Sequence, residues 1–192
     1  HPNEKVTLHG SGRTDSGVHA KGQVASVKLN SSLNPHQLLK ALNSKLKKDI
    51  RIVSCREAQQ DFHARFSAKY RKYQFYLSFI ESPFNYDRSW NVKFDISFTL
   101  LDDCAKLIIG EHDFTGFSKS NDEILNKKCI IFESRWEQID DEYRYTVIAN
   151  RFLQHMVRFL VGTMIEVARG RMSIEDFKLF LKGGHPSLTV VR

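Results

Sequence analysis

The sequence predicts an α+β fold, because short segments typical of antiparallel strands are interspersed with a few segments typical of amphipathic helices. Hydrophobic residues make up 41% and charged residues 27% of the 192 positions, an ordinary balance for a globular protein. The longest apolar runs, such as 129–132, are far shorter than the about 20 residues that a membrane helix needs. The chain is therefore not expected to span a membrane.

Strand-like segments are identified by alternating polarity and by aromatic or β-branched residues. In the clearest segment, Lys69–Ile80, a period of two places Arg71 and Tyr73 on one face and Lys72 on the other. The pattern also predicts a hairpin around residues 140–142 and shorter strands elsewhere. The predicted strands are Val6–Leu8, Gly22–Leu29, Ile50–Ser54, Lys69–Ile80, Ile130–Ile139 and Tyr143–Ala149.

Helical segments are predicted from apolar spacing and from residues that begin helices. Asn34 followed by Pro35 is a typical helix start, and Ser173 followed by two acidic residues is another. Further helices are expected at 100–109 and at 153–168. The apolar stripes consist of Leu38, Leu39, Leu42 and Leu46 in the first helix and Met156, Leu160, Met164 and Val167 in the 153–168 helix. With a boundary near Asp61, we expect two related halves, 1–60 and 61–192.

The charge distribution and the cysteines indicate what kind of partner the protein has and in which compartment it lies. The formal net charge is +7, although residues 102–142 alone carry eleven acids and five bases, so the rest of the chain carries an excess of +13. Such a distribution is typical of a protein that binds a polyanion, and it is also compatible with a solvated basic surface. Three widely spaced cysteines indicate reduced thiols and a cytoplasmic protein.

Few patterns in the sequence point to a cofactor. The eight histidines form no His-Glu-x-x-His and the cysteines no Cys-x-x-Cys, so we expect no metal centre. The glycine-rich segment 10–17 lacks the Lys and Ser or Thr of a phosphate-binding loop, since Val18 and His19 follow it. We therefore expect no nucleotide cofactor.

Two segments could carry chemistry or bind RNA. In the first, Arg13 and Asp15 lie between glycines at the end of a strand, which suits either a catalytic loop or an ordinary turn. In the second, 62–73, basic side chains alternate with aromatic rings, which suits either unpaired RNA bases or an amphipathic edge strand. Arg158, considered alone, is expected to be a surface cation.

Four blocks of sequence, in order, resemble the tRNA pseudouridine synthases of the TruA family. The blocks are Gly12-Arg13-Thr14-Asp15-Ser16-Gly17-Val18-His19-Ala20 with Gly22-Gln23-Val24, then Phe62-His63-Ala64-Arg65-Phe66-Ser67-Ala68, then His112-Asp113-Phe114-Thr115-Gly116-Phe117, and finally 149–162 around Phe152-Leu153-Gln154-His155-Met156-Val157-Arg158. The resemblance implies a cofactor-independent isomerase that converts uridine to pseudouridine in the anticodon arm of tRNA. It also implies two halves like RRM or ferredoxin domains, with antiparallel sheets that meet at a basic cleft.

The same resemblance implies roles for individual residues. Asp15 matches the essential carboxylate, Arg158 its basic partner, and Tyr73 the ring that stacks on the target base. Arg13 matches an arginine that fills the space left by the flipped base. The side chains expected to contact RNA are those of His63, Arg65, Lys69, Arg71 and Lys72.

The family resemblance further implies a homodimer, and it implies segments beyond both ends of this sequence. A first strand–helix unit before His1 and a last strand after Arg192 are expected, so we predict that the sequence is part of a longer protein. The competing hypothesis is a noncatalytic RNA-binding protein of the same fold. Such a protein would keep the basic and aromatic segment and would not need Asp15.

Overall fold

The structure, a computed structural model, describes residues 5–119 and 125–182. The chain forms two compact units, His1–Ala68 and Lys69–Arg192, and each is described by itself. The division between them falls a few residues after Asp61, near which the sequence pattern predicts a boundary.

The first unit, as far as it is described (residues 5–68), contains a two-stranded antiparallel sheet and one helix. Strand β1 (Leu8–Gly10) pairs with β2 (Ala25–Val27), and helix α1 (Pro35–Asn43) follows. Strand β1 begins two residues later than the predicted Val6–Leu8, and β2 is shorter than the predicted Gly22–Leu29. The predicted start of α1 is confirmed: the Asn34 side chain accepts the backbone N–H of Gln37, whose own side chain accepts the N–H of Asn34.

The predicted strand at Ile50–Ser54 does not form. In this segment the backbone of Ile52 is hydrogen-bonded to a side chain and not to a second strand. The Asn43 amide donates to the carbonyl of Ile52 at 2.9 Å and accepts its backbone N–H at 2.9 Å. This pair of bonds reproduces one rung of a sheet ladder at a single residue. The prediction of a strand at Ile50–Ser54 is therefore wrong.

The second unit contains a five-stranded sheet in the order β4-β3-β7-β6-β5. Its strands are β3 (Arg71–Ser78), β4 (Trp90–Asn91), β5 (Gly110–Asp113), β6 (Lys128–Ile139) and β7 (Glu142–Ala149). Strands β3 and β4 pair in parallel, and the other neighbouring strands of this sheet pair antiparallel. The predicted hairpin is confirmed as β6 and β7, which are joined at Asp140 and Asp141, and Asp140 has a left-handed φ of 50°.

Among residues 69–119 and 125–182, three helices and a short 3₁₀ segment (Thr115–Phe117) accompany this sheet. They are α2 (Phe98–Leu107), α3 (Met156–Ala168) and α4 (Ile174–Phe180). All four residues of the stripe predicted for the 153–168 helix are buried, as expected, and they pack in one core with α2 and the sheet. Helix α3 begins at Met156, three residues later than predicted. Residues 150–155 contact other parts of the second unit and do not form a helical turn.

The block that contains Phe114 and Phe117 has a structural explanation. The Asp113 carboxylate accepts both the backbone N–H and the hydroxyl of Thr115, which fixes the turn into the 3₁₀ segment. Both phenylalanines are fully buried, and Phe117 packs against Phe177 at 5.5 Å between ring centroids. This block therefore builds the core of the second unit.

The architecture confirms the predicted α+β class. Within the described residues, no helix combines the length and the hydropathy needed to cross a bilayer.

Candidate functional site

The glycine-rich loop of the first unit connects β1 to β2, and hydrogen bonds between its two ends close it. Ser11 donates its backbone N–H to the carbonyl of Val24 at 2.8 Å and its hydroxyl to the side chain of Gln23 at 2.8 Å. The Gln23 amide in turn donates to the carbonyl of Gly12 at 2.7 Å. These three bonds close the loop, so its outer residues are held on a defined backbone path.

Asp15 lies in the outer part of this loop and begins a tight turn. Its carbonyl accepts the N–H of Val18 at 3.3 Å, and Gly17 within the turn has a φ of +79° that glycine adopts without strain. The Asp15 side chain is half-buried, whereas Arg13 is exposed. The turn and the loop closure together fix the backbone path at Asp15, and Arg13 in the same loop is exposed.

The first unit also carries a stack of three aromatic side chains. The His63 ring lies between His9, at 4.6 Å between centroids, and Phe66, at 4.4 Å. Its Nδ1 accepts the backbone N–H groups of Arg65 and Phe66, which places the proton of the neutral ring on Nε2. The Arg65 guanidinium lies 5.7 Å from the Phe66 ring, which is 76% exposed. The last ring of this stack, Phe66, is therefore accessible, and the Arg65 guanidinium lies beside it.

In the second unit, strand β3 separates its side chains as the period of two predicts. Tyr73 faces the core and is half-buried, with its ring edge-on to Phe152 at 4.9 Å. Arg71, on the same face, donates from Nη1 to the carbonyl of Asn150 at 2.8 Å. Lys72 lies on the opposite face and is exposed, and Lys69 just before the strand is also exposed.

Segment 150–155 leads from β7 into α3 without regular structure. It ends at His155, whose φ of 60° is left-handed, and α3 begins at the next residue. Arg158 is the third residue of α3 and is half-buried, so part of its side chain remains at the surface, where it is expected when it is considered alone.

The predicted site residues fall into two groups. Arg13, Asp15, His63 and Arg65 belong to the first unit, and Lys69, Arg71, Lys72, Tyr73 and Arg158 belong to the second. Within the second unit, the structure brings Arg71 and Tyr73 together with the segment that precedes Arg158. Asn150 and Phe152 make these contacts, and neither was assigned a role from sequence although both lie in the fourth resembling block.

The net positive charge is concentrated in the first unit. Residues 1–68 contain eleven Lys and Arg against five Asp and Glu, a net of +6, whereas residues 69–192 contain eighteen against seventeen, a net of +1. Long-range attraction of a polyanion therefore depends mainly on the first unit.

Comparisons with known proteins show which family the sequence is similar to. The chain matches the family model described as tRNA pseudouridine synthase over residues 1–67 and 104–191. It is 42% identical to tRNA pseudouridine synthase A of Finegoldia magna over 91% of this chain and 72% of the relative. It is 38% identical to the enzyme of the same name from Chlorobium limicola over 94% of this chain and 74% of that relative. The α+β architecture is consistent with the fold of this family. The chain belongs to the tRNA pseudouridine synthase family.

Proposed function

We propose that this chain isomerises uridine to pseudouridine in the anticodon arm of tRNA, with Asp15 as the essential carboxylate and without a cofactor. The observation that carries the proposal is the fastened loop with Asp15 at its outer turn, in a chain whose relatives are tRNA pseudouridine synthases. A reaction on a large substrate benefits from a catalytic group held on a preorganised loop that the substrate can reach.

The chemistry balances within the substrate. The bond between uracil N1 and ribose C1′ breaks, a bond between C1′ and uracil C5 forms, the C5 proton leaves, and N1 gains a proton. Because the product is an isomer of the substrate, neither an oxidant nor a second reactant is consumed. The demands on the protein are a carboxylate at the sugar or base, a group that moves the C5 proton, and a surface that holds the nucleotide out of the stack.

Asp15 meets the first demand in this proposal. Three roles remain open to its carboxylate: attack on the ribose, attack on the base, and removal of a proton from the sugar. Each of them requires the ionised form. In this proposal Arg158 is the cationic partner of Asp15, as the family resemblance implies.

Tyr73 and Arg13 serve the flipped nucleotide. Tyr73 offers a ring for stacking on the target base and a hydroxyl for moving the C5 proton, and its edge-on contact with Phe152 supports that ring. The exposed Arg13 guanidinium occupies the space that the base leaves, which offsets part of the few kcal/mol that flipping costs.

The remaining contacts bind RNA outside the reacting nucleotide. Arg65, Lys69 and Lys72 are exposed, as phosphate contacts require. The His63 ring packs against the Phe66 ring and supports it as a stacking surface for RNA bases. Arg71, which donates to the carbonyl of Asn150, contributes to the same surface in this proposal. The net charge of +6 on the first unit supports a basic cleft for tRNA.

The proposal extends to assembly and location. The enzyme acts as a homodimer in the cytoplasm and consists of two related halves. Three widely spaced cysteines, two of them buried thiols, suit a reducing compartment.

The decisive experiment measures release of tritium from tRNA labelled at uridine C5, with the parent chain, Asp15→Asn and the matched control Asp49→Asn. Asp49 is an exposed carboxylate of the same unit. We expect release by the parent and by the control, and none by Asp15→Asn, with tRNA affinity unchanged within a few-fold in all three. Release by Asp15→Asn at the parental rate would refute the catalytic assignment. Binding without release by any of them would favour the noncatalytic RNA-binding protein.

A further inference from the structure

Asn150 connects three parts of the second unit at one point. Its backbone N–H donates to the carbonyl of Ile130 at 3.1 Å, and its side-chain Oδ1 accepts the N–H of Ile130 at 2.9 Å, which fixes it to strand β6. Its own carbonyl accepts Nη1 of Arg71 at 2.8 Å, which fixes it to strand β3. Asn150 lies just beyond the end of β7, so these bonds connect it to both neighbours of β7, strands β6 and β3.

Two contacts run side by side from β3 to segment 150–155. Arg71 and Tyr73 are two residues apart, so their side chains lie on the same face of β3, and Asn150 and Phe152 are likewise two residues apart. The first contact is the hydrogen bond from Arg71 to Asn150, and the second is the edge-on ring contact between Tyr73 and Phe152. A shift of Asn150 must therefore move Phe152 against the Tyr73 ring.

The same segment continues into the helix that carries Arg158. The carbonyl of Gln154 accepts the N–H of Lys119 at 3.1 Å, and the left-handed His155 then turns the chain into α3. Segment 150–155 thus lies between the Tyr73 ring at one end and the first turn of α3 at the other. Because the segment belongs to neither a strand nor a helix, its path depends on these anchoring contacts.

We propose that Asn150 is a positioning residue for the isomerisation, acting through Phe152 on the orientation of the Tyr73 ring and through His155 on the start of α3. This inference rests on the proposed function for its effect on the reaction, and on geometry alone for its effect on the ring. Reacting groups must be held within a fraction of an ångström, and a misplacement of 1 Å can lower a rate by about 10²-fold. Loss of the Ile130 bond at Asn150 is therefore expected to reduce turnover more than binding.

A structural readout at Tyr73 tests the geometry without any RNA. The full chain is labelled with 3-fluorotyrosine, and among its six tyrosines the Tyr73 resonance is assigned by its absence in Tyr73→Phe. An edge-on ring at 4.9 Å shifts that resonance through its ring current. We expect Phe152→Leu and Asn150→Ala to move the Tyr73 signal, and Asn150→Asp, which keeps the oxygen acceptor for Ile130, to restore it.

Asn85→Ala is the matched control. Asn85 is a partly buried asparagine of the same unit whose amide donates to Ser78 and Glu142 at the opposite end of β3. Its loss is expected to lower stability to a comparable degree while leaving the Tyr73 resonance in place. A Tyr73 signal that moves equally in Asn85→Ala and Asn150→Ala, or that does not move in Asn150→Ala, would overturn the proposal.

A double-mutant cycle tests the functional part. We expect Asn150→Ala to lower kcat about 10²-fold with KM within threefold, Asn150→Asp to recover most of kcat, and Asn85→Ala to leave kcat unchanged. If Asn150 acts through Phe152, the double variant with Phe152→Leu will be no slower than the slower single variant. Independent, additive losses or an unchanged kcat in Asn150→Ala would refute positioning. An inactive parent chain would instead refute the proposed function, and the fluorine spectra would still decide the geometry.

Discussion

The Asn43 side chain and the Ile52 backbone form two reciprocal hydrogen bonds, each 2.9 Å long. One amide group thereby joins the end of α1 to the extended segment that follows it. This pair substitutes for a strand in the first unit, and it fixes the turn at 44–51 in which several exposed lysines lie.

Removing this pair should destabilise the first unit. We expect Asn43→Leu to lower the free energy of unfolding by about 1–3 kcal/mol, because the Ile52 N–H and carbonyl lose their partners in a partly buried place. Asn43→Asp keeps the acceptor and loses the donor, so its effect should be intermediate. Urea unfolding followed by circular dichroism measures both, and equal stability of Asn43→Leu and the parent would contradict this account.

The Asp113 carboxyl should make the second unit sensitive to acid. Hydrogen bonds from Thr115 hold the pKa of Asp113 below its ordinary value, with Lys127 and Lys128 adding to the effect. A lowered pKa in the folded state means that the stabilisation is complete above the ordinary value and is lost as the pH falls through the folded value.

Asp113→Asn tests this dependence, because it removes the charge and keeps an acceptor for Thr115. We expect the parent to be more stable than Asp113→Asn at pH 7 and the difference to disappear as the pH falls below the ordinary range of aspartate. Urea midpoints measured across that range report the effect. The exposed Asp87→Asn serves as control, and a gap that persists at low pH would argue against the carboxylate.

The lysines of the 44–51 turn should contribute to tRNA affinity. Lys45, Lys47 and Lys48 are exposed in the more basic unit, and each phosphate contact contributes about 0.7–0.9 to the slope of log affinity against log salt. Changing all three to Gln should therefore reduce that slope by up to about 2–3. Filter binding of tRNA at several salt concentrations, in the Asp15→Asn background, measures the slope without turnover.

A triple variant of the second unit provides the comparison. Lys93, Lys106 and Lys178 form ion pairs with Glu81, Asp102 and Glu175, so their charges are already balanced. Their replacement by Gln should change the slope by less than one. Equal slopes for the two triple variants would show that the 44–51 turn does not contact RNA.

Tyr73→Phe should separate the two roles proposed for this ring. Phenylalanine retains the stacking surface and the edge-on contact with Phe152, and it lacks the hydroxyl. We expect tRNA affinity within a few-fold of the parent and tritium release slower by about 10²-fold or more. Unchanged release would remove the proton-transfer role, whereas Tyr73→Leu should weaken binding as well.

The cysteines should differ in reactivity. Burial, with Asp103 adding to it, raises the pKa of Cys104 to about 12, and burial also raises the pKa of Cys129. The third cysteine, Cys55, is partly exposed. We expect one thiol to react quickly with a disulfide reagent in the native protein and all three to react in denaturant. Rapid reaction of Cys104 in the folded chain would contradict its burial.

Elements with local sequence determinants could be predicted from the sequence. The hairpin of β6 and β7 follows from two polar residues between apolar segments, and α1 and α4 follow from their capping residues. These determinants act within a few residues, so neighbouring sequence specifies them. The identity of Asp15 as a catalytic candidate came from the family resemblance, since spacing alone favours an ordinary turn.

Features that depend on distant contacts could not be predicted. A bulge at residues 131–133 shifts the inward positions of β6 from Cys129 and Ile131 to Ser134 and Trp136, which breaks the simple alternation of the sequence. The segment before α3 contains Asn150, whose partners lie 20 and 79 residues away. Nothing in the local pattern around Asn150 indicates either partner.

The pairing of β3 with β7 has a consequence for synthesis on the ribosome. Tyr73 pairs with Val147, so β3 leaves the ribosome about 70 residues ahead of its central partner, or roughly 4–15 s at ordinary translation rates. During that interval a segment rich in tyrosine and phenylalanine has no neighbour on that side. Lys69, Arg71 and Lys72 place three positive charges at its start, and such charges oppose association of exposed strands from different chains. The same cations that suit an RNA surface in the folded protein thus protect the nascent chain from aggregation.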